Sequence, residues 1–209
     1  MSEIPAPDSY KSISSPSSGV YRDLGSKFIS LAYPVSSEEE VKSILSAVRR
    51  EYFDARHHCY AYRLGQKGEL WRVNDDGELS SSAGRPIYGQ LLSNELSDIL
   101  IIVVRYFGGT KLGIPGLIKA YKSAAADAIA NAPITVKQAE RELVIKFDYI
   151  GTDTVMKLVR GMGAKITGQN FDITCTLFVK IALSAAPDLI HSLTENGFTV
   201  CDSNGVEDF

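Results

Sequence analysis

The chain has 209 residues, 44% of them hydrophobic and 22% charged, with a formal net charge of −3. That suits a globular protein of one large or two small domains, and the slight acidity excludes nucleic-acid binding driven by a strongly basic whole domain. No apolar run reaches the roughly 18 residues of a membrane span, no signal-peptide core opens the chain, and Cys59, Cys175 and Cys201 are odd in number and widely spaced, so a reduced cytoplasmic protein without membrane contact is expected.

Residues 1–19 are rich in Ser and Pro and predict a flexible tail. Val20–Val35 has strand content, broken at Gly25. Ser36-Ser37-Glu38-Glu39-Glu40 has capping-box character, and Val41, Ile44, Leu45, Val48 and Tyr52 follow at helical spacing. His57–Leu64 and Glu69–Asn74 read as a hairpin around Gly65–Gly68. A helix over Pro86–Leu96 should turn Ile87, Leu91 and Leu92 inward. Ile99–Val104 is continuously apolar, the pattern of a central strand covered on both faces. A long helix over 115–131 should bury Leu117, Ile118, Tyr121, Ala125 and Ile129. Asn131-Ala132-Pro133 ends it and closes a first domain at 20–133. Residues 137–204 then alternate strand and helix in the order βαββαβ, a ferredoxin-like pattern, with Gly197 closing the second helix.

The junction after the central strand is the richest segment. Arg105-Tyr106-Phe107 leads into Gly108-Gly109-Thr110-Lys111-Leu112-Gly113, and a helix opens near Pro115. Four of the nine positions from Gly108 to Gly116 are glycine. Such a turn lets another group approach the backbone, and the free amides of the first helical turn favour an anion. The motif is neither a Walker A loop nor G-x-G-x-x-G. Between Ile99 and Ala126 the charged residues are Arg105, Lys111, Lys119 and Lys122, with no acid. The candidate anion-binding set is Arg105, Tyr106, Gly108, Gly109, Lys111, Gly113, Gly116, Lys119 and Tyr121. A plainer reading stands beside it: the glycines serve only a tight strand–helix junction, and Phe107 and Tyr121 belong to the core.

His57, His58 and Cys59 are adjacent, but strand alternation separates them. His57, Cys59, Ala61 and Arg63 share one face, and His58, Tyr60 and Tyr62 the other. His57 with Cys59 makes two metal ligands where a closed zinc site needs four, so no metal and no cofactor are expected. Asp75-Asp76-Gly77-Glu78 is a good turn; it is also a place where a carboxylate could hold Mg²⁺ or orient His57. Any catalysis would rest on His57 with Asp75 or Asp76 as an acid/base pair, with Glu78 as a further carboxylate. No nucleophile motif is present, so the balance leans away from an enzyme.

Four blocks carry a family resemblance. RYFGGTKLG followed by GLIKAY resembles the R-[FY]-[FY]-G-G-x-K-L-G and G-L-[VI]-[RK]-A-Y signature of the IMPACT/YigZ family. Ser26–Ile29 with Pro34-Val35, Asp54–Arg63, and Asn74–Glu78 through Ala83–Pro86 resemble its other blocks, in order, over about residues 20–130. Leu79 stands where the family has proline, Ser82 where it has threonine, and Pro115 where it commonly has glycine. The resemblance implies an α+β protein. Its N-terminal α/β sandwich would be similar to the second domain of a small-subunit ribosomal protein, and its ferredoxin-like domain to domain V of elongation factor G. It implies a translation-linked regulator binding RNA or a ribosome-associated factor at the Gly108–Lys122 patch. The alternative is an enzyme acting on a small phosphate-bearing ligand. The first 19 residues are too short for the extra N-terminal domain of eukaryotic members, so their mechanism is not carried over.

Overall fold

The computed structural model describes residues 8–172 and 174–202. Two compact units divide the chain, Tyr10–Lys137 forming one and the residues from Gln138 onward, with Asp8 and Ser9, the other.

In chain order the first unit holds β1 (Ser9–Ile13), β2 (Ser17–Asp23), β3 (Ser26–Pro34), α1 (Glu38–Glu51), β4 (His57–Leu64), β5 (Leu70–Asn74), α2 (Gly84–Ser93), β6 (Ile99–Tyr106), α3 (Gly113–Ala130) and β7 (Ile134–Gln138). The apolar run of β6 takes the centre of a five-stranded antiparallel sheet ordered β2-β3-β6-β4-β5. Alternation sends Ile99, Ile101 and Val103 to the face covered by α2 and α3, and Leu100, Ile102 and Val104 to the face covered by α1. All six are fully buried, each contributing roughly 1.5–3 kcal/mol of burial, which makes this strand the anchor of the unit. Helix α1 starts as expected: Ser37 Oγ accepts from Glu40 N (3.2 Å), and the Glu40 carboxylate accepts from Ser36 N (2.7 Å).

Three expectations change. The flexible tail does not hold for residues 8–19, because β1 pairs with β7, β2 joins the sheet edge and Ile13 is fully buried. Asp8 likewise is buried, accepting from Ala139 N (2.9 Å) and Ser184 N (2.7 Å). Residues 1–7 of that expectation lie outside the described residues. Leu92 and Ile118 are exposed rather than inward, since each sits about 100° around its helix from the buried Leu91 and Leu117.

The second unit contains β8 (Glu140–Phe147), a 3-10 turn (Tyr149–Gly151), α4 (Thr152–Gly161), β9 (Lys165–Phe171), β10 (Cys175–Ala182), α5 (Ala186–Glu195) and β11 (Thr199–Asp202). The sheet order β11-β8-β10-β9 is antiparallel throughout. This is the split βαββαβ arrangement. Leu143, Ile145, Leu177 and Val179 from its central strands pack with Val155, Val159, Leu189 and Leu193 from the helices.

Candidate functional site

Sheet register builds the site. Arg105 is the seventh residue of β6 and faces α3, in phase with Val103. Its cross-strand partners are His57 on β4 and Phe28 on β3, so the three side chains form one row on one face. Arg105 Cζ sits 5.4 Å from the Phe28 ring centroid and 5.8 Å from that of Phe107. Phe28 in turn meets Tyr121 of α3 edge-on at 5.1 Å.

Glu78, on the turn after β5, reaches into this row. Its Oε1 accepts from Arg105 Nη1 and from Tyr121 Oη (2.8 Å), and His57 Nε2 lies 3.9 Å from the same oxygen. The side chains of Arg105 and Glu78 are only 9% and 5% exposed, so their charges are largely removed from water and depend on each other. Arg105 Nε is buried without a hydrogen-bond acceptor. Cys59 Sγ stands 3.0 Å from Asp75 O and 3.3 Å from Tyr121 Oη. Burial pushes both the Cys59 thiol and the Tyr121 phenol up, so both stay protonated.

The acidic turn meets His57, but not through Asp75 or Asp76 carboxylates. Asp75 Oδ1 accepts from Ala83 N (3.0 Å) and Gly84 N (2.8 Å), which supplies the anionic partner for the start of α2. Asp76 turns to the other sheet face, where its carboxylate accepts from Arg49 (2.6 Å) and His58 N (2.7 Å). The expected acid/base pair of His57 with Asp75 or Asp76 is therefore not formed. The Asp76 main-chain oxygen lies 2.9 Å from His57 Nδ1. A carbonyl only accepts, so Nδ1 donates to it, and Nε2 is the ring nitrogen on the Glu78 side.

Over this network lies a cleft of about 500 Å³ lined by Arg56, His57, Glu78, Leu79, Arg105, Phe107, Lys111, Leu112, Gly113 and Leu117. Of the expected anion-binding set, Arg105, Lys111 and Gly113 line it. Gly108 serves the frame: its amide donates to Ser26 Oγ (3.1 Å), and a Cβ there would lie 1.9 Å from the Gly25 carbonyl carbon. Gly109 has φ +89° and open space around it, so backbone conformation selects glycine there. Gly116 packs against Leu112. Tyr106 points to the α1 face and donates to Asp54 (2.8 Å); that bond pushes its phenol up to about 12. Lys119 is exposed on α3 away from the cleft lining.

Tyr121, placed by helical spacing on the buried stripe and also included in the anion-binding set, is fully buried, because that stripe of α3 packs on the sheet. Phe107 is the reverse, 58% exposed on the cleft rim, since the strand has ended one residue earlier and it no longer alternates into a core. Arg56 and Leu79 were missed by sequence reasoning. An aromatic directly after the strand's last pair was the signal for Phe107. Among the described residues no cluster of three or more His, Cys, Asp or Glu stands at metal-binding separation, and no helix is long and apolar enough to cross a membrane.

Residues 24–129, which hold every residue lining this cleft, match the family model of the Impact N-terminal domain, about half of the chain. The chain belongs to the IMPACT family. IMPACT family member YigZ of Escherichia coli is 32% identical, over 77% of this chain and 79% of that relative. IMPACT family member YvyE of Bacillus subtilis is 34% identical over 59% of this chain, and the match spans 57% of YvyE's length. A crystal structure of a hypothetical protein aligns over 97% of both chains, with 26% identity and a TM-score of 0.72.

Proposed function

We propose that this IMPACT-family chain is a translation-linked regulatory protein that recognises a phosphate-bearing partner, RNA or a ribosome-associated factor, at the cleft beside α3. The translational half of the reading rests on family membership. The anion half rests on one observation: Arg105, nine-tenths buried, has an Nε without an acceptor and lies in the lining of a cleft that also carries Lys111 and Arg56. Among the described residues neither Lys111 nor Arg56 has an ion-pair partner, so both are available to a ligand. Charge-assisted hydrogen bonds at such a site would contribute on the order of 1 kcal/mol each, because the open side is screened.

A second reading has its own support. His57 Nε2 and Glu78 meet in the same cleft, so acid/base chemistry on a small phosphate-bearing ligand is served by residues already in place. Equilibrium titration of wild type and Lys111→Ala with single-stranded RNA and with a compact phosphate ligand, at two salt concentrations, tests both. For RNA, Lys111→Ala should lower the slope of log K against log salt by roughly 0.7–1. For a compact ligand, the variant should weaken binding with little salt dependence. Turnover of the compact ligand, lost in His57→Ala, would select the enzyme. No binding by wild type to either ligand would refute the anion site.

A further inference from the structure

We propose that the cleft takes one nucleoside monophosphate unit, with its base on Phe107 and its phosphate at the Lys111–Gly113 turn. This rests on the anion-site reading above and goes beyond it by naming the rest of the ligand. The cavity of about 500 Å³ falls within the range of small-molecule sites, roughly 300–1,000 Å³, and far exceeds what a bare phosphate fills. Its walls divide by chemistry. Arg56 and Lys111 supply cations beside the Arg105–Glu78 pair, while Leu79, Phe107, Leu112 and Leu117 supply apolar surface. A ligand that satisfies both must carry an anion and a flat apolar body.

Phe107 explains why that body should be aromatic. The Arg105 guanidinium lies within cation–π reach of two rings, Phe28 in the core and Phe107 at the cleft. Phe107 is 58% exposed and lines the cleft, and among the described residues no ring pair involves it, so one open ring faces the cavity. A base fits on that ring, and stacking tolerates any base because each has a π-face. The single exposed ring limits the site to one base, which separates this cleft from an extended strand-binding groove.

The test is calorimetric titration of the full chain with inorganic phosphate, ribose 5-phosphate, adenosine and AMP. AMP should bind at least about fivefold more tightly than ribose 5-phosphate, the lower bound of one base–aromatic stack. Phe107→Ala should erase that difference, and Phe107→Trp should keep or widen it. Equal affinity for AMP and ribose 5-phosphate in wild type overturns the base-stacking proposal but leaves the anion site standing. Adenosine binding as tightly as AMP overturns the anion site itself. An adenosine tetranucleotide with and without a 5′-phosphate then identifies the source. Tighter binding of the 5′-phosphorylated strand than of AMP assigns the unit to a strand end, and exclusion of both strands assigns it to a free nucleotide. Either result requires AMP binding first, and its absence refutes the proposal.

Discussion

Replacing Glu78 with Gln isolates the charge at the centre of the site. Gln keeps an oxygen to accept from Tyr121 Oη but leaves Arg105 without its counter-ion. Breaking a buried pair by removing one partner costs about 3–5 kcal/mol. Arg105 lines the cleft and keeps 9% of its side chain exposed, so the low end, about 3 kcal/mol, applies. Trp71, the chain's single tryptophan, lies on β5 in the same unit, so urea unfolding followed by its fluorescence reports this unit directly. Glu78→Gln should lower the unfolding free energy by about 3 kcal/mol, with an unchanged slope against urea. Added phosphate or sulfate should then restore more stability to the variant than it adds to wild type, because the anion replaces the missing carboxylate beside Arg105. A loss below about 0.5 kcal/mol would refute the claim that Arg105 depends on Glu78. Equal stabilisation of both proteins by the anion would refute the claim that an anion reaches Arg105.

Other predictions use the same unfolding assay or a thiol assay. Gly108→Ala should cost about 2 kcal/mol or more, because its Cβ would strike Gly25 backbone, whereas Gly109→Ala should cost about 1–2 kcal/mol from positive φ alone. Cys59 should resist a disulfide reagent at pH 8 in the native protein and react once unfolded, since burial raises its thiol. Because the folded value lies above the unfolded one, Cys59's contribution to stability is fully present at neutral pH and declines as pH rises past the ordinary thiol value of about 8.5. Deleting residues 1–13 should destabilise the first unit by about 3 kcal/mol or more, through loss of buried Ile13 and the β1–β7 pairing; a flexible tail would give no change.

The sequence by itself carried the elements with strong periodicity. The apolar run of β6, the capping box of α1 and the Gly197-closed α5 were legible because each is set by local spacing or local hydrogen bonding. The βαββαβ order of the second unit followed from the same local signals. Family signatures marked the segment around Gly108 and the acidic turn, but not what each side chain does there. That was decided by register. Arg105, His57 and Phe28 are far apart in sequence and share a row only because β6 pairs with both β3 and β4. The carboxylate that meets them is Glu78 rather than Asp75 or Asp76, because the first two side chains are consumed by the α2 amides and by Arg49. Tyr121 is buried and Phe107 exposed for the same reason: burial depends on which surface a helix stripe or a strand end meets. The N-terminal strand was missed because Ser-rich, Pro-containing sequence has weak intrinsic preference, and only pairing with β7, more than a hundred residues away, orders it.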